Sequence, residues 1–262
     1  MGGQNLDTLA DRVAELIVNA KRVVVFTGAG VSTESGVPDF RSPGGIWERF
    51  DPADFTYQKL MSSPESRRKW WQIFRERGLT TEAEPNQAHL AIAELDKLGK
   101  LDCVITQNVD NLHCKAGLAE DKVFELHGNI RWVVCLSCGK RYPSEQIRAR
   151  LDESEEIPAC ESCQGILKPD IVLFGEMLPE KVFQQATRRS QKADLFIVIG
   201  STLIVYPAAD MPIYALESGA KLVIINLSPT PMDNQATVLI RAKAGEVMSK
   251  VIQRVREKVG SL

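Results

Sequence analysis

The sequence contains no hydrophobic run near the roughly 18 residues that a membrane-spanning helix needs. It also lacks a marked excess of one charge, since 32 basic and 34 acidic side chains leave its 262 residues a formal net charge of −2. This balance argues against a strongly basic nucleic-acid-binding surface. Its first residues, MGGQNLDTLADR, lack an apolar segment and an early basic cluster, so we expect no secretory signal. With 44% hydrophobic residues, the chain can form the core of one large domain, or of a domain with an insert.

The six cysteines do not form a disulfide pattern. They are the C-x2-C pairs Cys135/Cys138 and Cys160/Cys163, and the isolated Cys103 and Cys114. Two such pairs are typical of a zinc site in a reducing compartment, so we expect a cytoplasmic location. Four thiolates leave no position for water, which predicts one structural zinc ion. The alternatives are unrelated buried cysteines or a zinc ribbon on nucleic acid, and the acidic run 152–156 argues against the ribbon.

Hydrophobic patterns predict alternating helices and strands. Helical spacing covers 6–20, 86–98, 180–191, 208–217 and 245–259, and strand patterns cover 21–27, 101–106, 168–174, 194–199 and 221–226. This alternation indicates an α/β fold with a Rossmann-like, doubly wound parallel sheet. Two stretches interrupt it, a helical insert or flexible loop at 42–84 and a zinc module at 129–167. We therefore predict a large domain from 1–41, 85–128 and 168–262, and a small domain from the two inserted stretches.

Small and polar residues follow several predicted strands. Thr27 to Ser32 contains Gly28-Ala29-Gly30 after a buried strand, and Gly200-Ser201-Thr202 repeats this arrangement. Asn226 and Ser228 end a third strand, and Thr106 to His113 supplies amides, a carboxylate and an imidazole after a fourth. Glycines let backbone amides approach a pyrophosphate, and ligands bind beyond the carboxyl ends of parallel strands. The alternatives are an ordinary strand-to-helix turn for the glycines and an Asx-rich, helix-capping turn for 106–113.

The chain contains only three histidines, so few imidazoles are available as a general base. His127 ends the short apolar stretch Phe124 to Leu126, and His113 closes the polar segment after the strand at 101–106. These two compete for the role of base, whereas His89 lies within a helical pattern and is the weakest candidate.

The ordered set of motifs resembles the sirtuins, the Sir2-type NAD-dependent protein lysine deacylases of bacteria and archaea. The matching segments run from about residue 20 to residue 250 and occur in the family's order. They are Gly28 to Arg41, Thr106 to Asp110, Leu126-His127-Gly128, the four paired cysteines, Phe174-Gly175-Glu176, Gly200-Ser201-Thr202 and Asn226-Leu227. Each motif is ambiguous alone, but the ordered set is specific to this family.

The resemblance implies an enzyme that removes an acyl group from lysine, transfers it to ADP-ribose and releases nicotinamide. It implies His127 as general base, with Asn108 as the second catalytic residue. The implied NAD-binding residues are Gly28, Ala29, Gly30, Thr33, Asp39, Phe40, Arg41, Gln107, Asn108, Val109, Asp110, Gly200, Ser201, Thr202, Asn226, Leu227, Ser228 and Ala244. The acyl-lysine peptide would lie as a strand between two segments. The implied substrate-binding residues there are Val172, Phe174, Gly175, Glu176, Leu203 and Val205.

The helical insert bears on the choice of acyl group. Family members that prefer succinyl or malonyl groups carry a Tyr-x-x-Arg pair, and no such pair occurs within 60–80 of this sequence. Alignment places Trp71 and Phe74 at the two positions, so we expect a neutral acyl group, with acetyl first and longer chains as the alternative. A protein mono-ADP-ribosyltransferase and a non-catalytic zinc-ribbon module are the competing functions. We expect no membrane or nucleic-acid partner and favour a monomer.

Overall fold

The computed structural model describes residues 5–39, 45, 48, 51–76, 83–153 and 157–260. Two predicted NAD-binding residues, Phe40 and Arg41, lie outside the described residues. Among the described residues, no helix has the length and apolar character needed to cross a membrane.

Helices and strands alternate along most of the chain. The helices are α1 (Leu6–Asn19), α2 (Tyr57–Ser62), α3 (Pro64–Arg75), α4 (Gln87–Lys97), α5 (Leu112–Lys115), α6 (Ser144–Asp152), α7 (Glu180–Ser190), α8 (Met211–Glu217) and α9 (Ala244–Val259). The strands are β1 (Val23–Thr27), β2 (Leu101–Thr106), β3 (Val123–Glu125), β4 (Gly128–Cys135), β5 (Arg141–Pro143), β6 (Leu167–Ile171), β7 (Leu195–Ile199), β8 (Lys221–Ile225) and β9 (Val238–Ile240). The five predicted helices lie within one to three residues of α1, α4, α7, α8 and α9.

The large sheet has six parallel strands in the order β3-β2-β1-β7-β8-β9. The strand β1 is buried on both faces because its side chains alternate between two hydrophobic clusters. Val23 and Val25 pack with α1, α4 and α9, whereas Val24 and Phe26 pack with α7 and α8 on the opposite face. The predicted α/β, doubly wound architecture is confirmed.

A smaller antiparallel sheet has the order β5-β4-β6. The predicted strand at 168–174 is shorter, and the expectation that it belongs to the large sheet was wrong. It forms β6, whose Lys168 pairs with Val134 of β4. Pairing partners far along the chain decide this placement, and a local apolar pattern does not encode them.

A third hydrophobic cluster joins the helical insert to the zinc module. It contains Trp71 and Phe74 of α3, Ile147 of α6, and residues of the small sheet such as Val133 and Leu167. Trp71 and Phe74 pack edge to face, with ring centroids 5.3 Å apart. The two stretches that interrupt the sequence pattern therefore share one core beside the large sheet.

Candidate active site and metal centre

The strand order reverses between β1 and β7, and the loops that follow these strands pack directly against each other. The amide of Gly30 donates to the carbonyl oxygen of Gly200 at 2.9 Å. A Cβ on Gly30 would lie 2.8 Å from the Cα of Gly200, and one on Gly200 would lie 2.2 Å from the Val31 nitrogen. Gly200 also has a φ of +64°. Glycine is required here because two backbones occupy the space of a side chain, at the position where open α/β sheets bind ligands.

A cleft of about 1120 Å³ opens at this end of the sheet. Its walls come from the loops after β1, β2, β7 and β8, from the segment after β6, and from the helical insert. The volume is that of a site for a large ligand, and most of its lining is apolar with a few convergent polar groups. These polar groups lie at the strand ends.

His127 lies between β3 and β4 and lines the cleft. Its Nδ1 is 2.9 Å from the carbonyl oxygen of Gln107. A carbonyl oxygen only accepts hydrogen bonds, so Nδ1 carries the proton and Nε2 keeps its lone pair. Burial lowers the pKa of His127, and the bond to Gln107 opposes part of that shift. The imidazole is therefore neutral at pH 7, with Nε2 able to accept a proton.

The other two histidines are held away from the cleft. His113 is buried, its Nε2 lies 2.9 Å from Thr27 Oγ1, and burial lowers its pKa well below the usual value. His89 caps the start of α4 and accepts from the backbone of Asn86, while burial lowers its pKa to about 4. Neither lines the described cleft, so His127 is the one histidine of the three that does.

A hydrogen-bonded cluster joins the loops after β1 and β2. Asn108 Nδ2 donates to the carbonyl oxygen of Gly28 at 3.2 Å and to Ser32 Oγ at 3.0 Å. Ser32 Oγ donates to Asp110 Oδ2 at 2.7 Å, and Asp110 Oδ1 accepts from the amide of Leu112 at 3.0 Å. The cluster fixes the amide and the carboxylate before any ligand binds, so little side-chain entropy is lost on binding.

In the side-chain amide of Gln107, the oxygen is hydrogen-bonded and the nitrogen is not. Its Oε1 accepts from Ser201 Oγ at 3.0 Å, which links the loops after β2 and β7. Its buried Nε2 has no hydrogen-bond partner in the protein. A buried donor without a partner costs about 1–3 kcal/mol. Because Gln107 lines the cleft, a ligand with an acceptor group there would remove that cost.

The four paired cysteines form a separate cluster, and none of them lines the cleft. Their sulfur atoms all lie within 4.8 Å of one another, with Cys135 and Cys163 Sγ 3.5 Å apart and Cys138 and Cys160 Sγ 3.7 Å apart. Zn–S bonds of about 2.3 Å at tetrahedral angles place sulfurs about 3.8 Å apart, so the cluster fits zinc. Four thiolates would complete the coordination of this ion and leave no position for water, as in structural zinc sites.

The two knuckles repeat one local turn. Gly139 N donates to Cys135 O at 2.9 Å, and Gln164 N donates to Cys160 O at 2.8 Å. Gly139 and Gln164 both have positive φ angles, 73° and 59°. The left-handed residue four positions after each first cysteine closes the turn that brings its two sulfurs together.

Residues 28–207 match the protein-family model described as the Sir2 family. The chain belongs to the Sir2 family. Curated relatives agree. The NAD-dependent protein deacetylase of Caldivirga maquilingensis is 43% identical over 246 residues, 94% of this chain and 93% of the relative. That of Thermodesulfovibrio yellowstonii is 45% identical over 93% of this chain and 94% of its own length. The NAD-dependent protein deacylase 2 of Archaeoglobus fulgidus is 41% identical over 94% and 95%.

Solved Sir2 structures share the fold of this family member. A Sir2 complex with a p53 peptide and NAD+ matches with a TM-score of 0.82 and 38% identity, over 96% of this chain and 98% of that one. A Sir2 variant with a deacetylated p53 peptide and 3′-O-acetyl-ADP-ribose matches with a TM-score of 0.83 and 38% identity, over 94% and 97%.

The Sir2 cleft collects most of the residues that the sequence singles out. Those that line it are Ala29, Gly30, Thr33, Asp39, Gln107, Asn108, Val109, Asp110, His127, Val172, Phe174, Gly175, Glu176, Gly200, Ser201, Thr202, Val205, Asn226, Leu227, Ser228 and Ala244. Gly28 lies behind the lining and packs against Gly200 and Ser201. Leu203 is 2% exposed and belongs to the core, so the structure does not bring its side chain to the cleft.

Trp71 and Phe74 do not form the wall of this Sir2 cleft. All four aromatic side chains are buried in the third hydrophobic cluster, but the described lining contains Phe55 and Trp70 and neither Trp71 nor Phe74. One residue along a helix turns the side chain by about 100°, so Trp70 reaches the cleft and its neighbour Trp71 does not. The lining also contains Ile204 and Tyr206, which are not among the individual residues predicted from the sequence. Their exposed apolar side chains follow the Gly200 motif, which is the signal that could have found them.

Proposed function

We propose that this protein is an NAD-dependent protein lysine deacetylase that transfers the acetyl group to ADP-ribose and releases nicotinamide. The observation that carries the proposal is the position of His127 in the cleft. Its neutral imidazole has Nδ1 fixed by Gln107, and it shares the cleft with the glycine loops and with Asn108 and Asp110.

NAD would occupy the part of the cleft at the ends of β1, β2, β7 and β8. The small residues Ala29 and Gly30 leave room for close backbone approach, and Ser201, Asn226 and Ala244 line the far end. The unpaired Nε2 of Gln107 supports a ligand that brings an acceptor to this wall. When bound, NAD supplies the ADP-ribose acceptor and the nicotinamide leaving group.

Asn108 and Asp110 would orient the reacting end of NAD. The bonds of Asn108 to Gly28 and Ser32 leave its Oδ1 without a hydrogen-bond partner among the described residues. Asp110 is braced by Ser32 and Leu112, so its carboxylate can accept from an amide group without moving. Fixed polar groups of this kind lower the cost of reaching the reactive geometry.

His127 would remove a proton from a ribose hydroxyl through Nε2. Its lowered pKa keeps this nitrogen unprotonated at neutral pH, and the Gln107 carbonyl stabilises the positive charge that develops on the ring. Loss of a positioned base of this kind reduces rates about 10²–10⁴-fold.

The acyl-lysine peptide would enter between the segment 172–175 and the segment 203–205. Val172, Gly175 and Val205 line the cleft, as does the exposed side chain of Ile204. Pairing with backbone groups supports broad sequence tolerance, because every peptide presents the same N–H and C=O groups.

The test combines an acetyl-lysine peptide with NAD and identifies the products by mass spectrometry. We expect deacetylated peptide, nicotinamide and O-acetyl-ADP-ribose in equal amounts, and none of them without NAD. The variant His127→Ala is the matched control. ADP-ribose attached to the peptide would instead indicate a mono-ADP-ribosyltransferase, and the absence of nicotinamide release would overturn the proposal.

Three further properties belong to the proposal. We propose that residues 42–84 and 129–167 form a small domain, which their shared hydrophobic cluster supports. We also propose a cytoplasmic location, supported by six cysteines without a disulfide. A monomeric state is the third, and light scattering of the purified protein tests it.

A further inference from the structure

Lys168 is a buried lysine in the small sheet. Its side chain is 4% exposed, and Nζ lies 2.8 Å from Glu176 Oε2. Nζ also donates to the carbonyl oxygen of Ile171. A buried ammonium group is tolerated only where it is paired and hydrogen-bonded, so this lysine is committed to the turn that joins β6 to Glu176.

Glu176 uses the same carboxylate oxygen to hold the backbone. Its Oε2 accepts from the amide of Leu173 at 3.0 Å, and its own amide donates to the Leu173 carbonyl at 3.0 Å. Both backbone groups of Leu173 are therefore occupied by Glu176. Glu176 also lines the cleft. The Lys168–Glu176 ion pair with its hydrogen bond to Leu173 is called the clamp below.

The backbone of the segment 172–175 also forms hydrogen bonds with neighbouring parts of the chain. Val172 N donates to the carbonyl oxygen of His127 at 2.9 Å. Phe174 N donates to Phe55 O at 3.1 Å, and Tyr57 N donates to Phe174 O at 2.9 Å. Among the described residues, the Val172 carbonyl and both backbone groups of Gly175 have no hydrogen-bond partner. These are the groups in this segment that a substrate strand can use.

We infer that Lys168 and Glu176 are positioning residues for the peptide substrate, which rests on the deacetylase function proposed above. The ion pair holds Leu173 and Ile171 so that the Val172 carbonyl and Gly175 face the substrate at a fixed register. It acts through the backbone and does not contact the reacting atoms. Since Val172 is bonded to the backbone of His127, the clamp also sets the distance between the peptide and the general base.

Breaking the pair should affect peptide binding more than chemistry. Without Lys168, the Glu176 carboxylate loses its cation and turns toward solvent, which releases the amide of Leu173. The segment then samples several registers, and each bound peptide must restore the correct one. This cost appears in the peptide KM, because NAD binds to loops that the clamp does not touch.

The experiment measures kcat and KM for an acetyl-lysine peptide and for NAD in Lys168→Met, Glu176→Gln and the double variant. We expect the peptide KM to rise about tenfold in Lys168→Met and less in Glu176→Gln, which keeps an oxygen for Leu173. The double variant should resemble Lys168→Met, because the ion pair is already lost in that variant. Lys168→Arg should recover part of the peptide affinity. In all of them kcat and the NAD KM should stay within about threefold.

Arg141→Met is the matched control. Arg141 and Asp170 form an ion pair at 2.7 Å in the same small sheet, but their side chains are 52% and 37% exposed. Exposed pairs contribute little, so this variant should leave every kinetic constant unchanged. Zinc content and melting temperature are measured for each protein. The milder Glu176→Gln variant keeps the test decisive if Lys168→Met does not fold.

Two results would overturn the inference. One is a peptide KM that stays within about twofold of the wild-type value in Glu176→Gln and Lys168→Met. The other is an equal rise in the KM values for peptide and NAD, which indicates general destabilisation. Titration of a labelled acetyl-lysine peptide by fluorescence anisotropy separates the two proposals. A wild-type protein that binds the peptide more tightly than the variants, but does not deacetylate it, would refute the function and support the clamp.

Discussion

A change of acyl group from acetyl to succinyl should reduce activity sharply, because the described residues of the apolar wall offer no partner for a carboxylate. Phe55 and Trp70 meet edge to face there, with ring centroids 4.6 Å apart. The indole nitrogen of Trp70 already donates to the carbonyl oxygen of Asp54 at 3.2 Å. Among the described lining residues, the only lysine or arginine is Lys243, beside Ala244 at the start of α9.

The size of the effect follows from the cost of burying an unpaired charge. An ionised carboxylate moved from water to this wall without a cation costs several kcal/mol even after relaxation. An acetyl group carries no such penalty and gains apolar contact. Because about 1.4 kcal/mol corresponds to a tenfold change in rate, kcat/KM for acetyl-lysine should exceed that for succinyl-lysine by at least about 100-fold.

The assay compares kcat/KM for acetyl-, succinyl- and octanoyl-lysine versions of one peptide at saturating NAD. Trp70→Leu should raise the octanoyl-to-acetyl ratio, because it removes part of the wall. Trp71→Leu is the matched control, since the same substitution one residue along changes a buried side chain of the same cluster that does not line the described cleft. Both variants should lower the melting temperature, but Trp71→Leu should leave the acyl ratio unchanged.

Comparable rates for acetyl- and succinyl-lysine would refute this reasoning and would mean that a cation reaches the acyl group. A changed ratio in Trp71→Leu with an unchanged ratio in Trp70→Leu would show that the wall is assigned to the wrong face of α3.

The other four predictions concern the base, its pH dependence, the metal and acid stability. His127→Ala should lose about 10²–10⁴-fold in kcat while retaining NAD affinity and melting temperature. In the wild-type protein, the acidic limb of the kcat/KM profile should lie below pH 6.5, because burial lowers the pKa of His127; a limb above pH 6.5 would contradict this. Each chain should hold one zinc ion, and Cys160→Ser should release it and lower the melting temperature, whereas Cys103→Ser should keep it; unchanged zinc in Cys160→Ser would disprove the assignment. The unfolded protein protonates His89 near pH 6.5 but the folded protein only near pH 4, so the contribution of His89 to stability should decrease as pH falls through this range, by up to about 1.4 kcal/mol per unit. Burial raises the pKa of Glu125 to about 7, which contributes in the opposite direction, so the measurement compares the wild-type protein with His89→Gln. An identical pH dependence of the melting temperature in the two proteins between pH 6.5 and 4 would oppose that conclusion.

The elements of the fold that the sequence predicts are those that can be recognised from their own residues. The β-branched runs of β1 and β8 are buried on both faces, and their composition alone indicates parallel strands. The short strands β3 and β9 were not predicted, because each contains three residues, too few for a pattern to be detected. The pairing of β6 with β4 depends on partners more than 30 residues apart, which no local rule provides.

Some features of the candidate site can likewise be predicted from the sequence, and others depend on the fold. The cysteine spacing and the strand-end motifs predict which residues gather, because parallel strands end at one edge and two knuckles share one metal. The fold was needed to identify the histidine that faces the cleft, since His113 and His127 both follow strands of the large sheet. The clamp of Lys168 and Glu176 was also hidden, because β6 joins a sheet that the sequence did not reveal.

The contact between the two glycine loops has a consequence for protein engineering. Gly30 and Gly200 meet through their backbones, so neither loop has a side chain that can adjust to a changed neighbour. A chimera that takes the loop after β1 from a homologue but keeps its own loop after β7 must reproduce this contact to within a few tenths of an ångström. The two loops therefore form a single exchangeable cassette, although about 170 residues of chain separate them, and a recombination library should move them together.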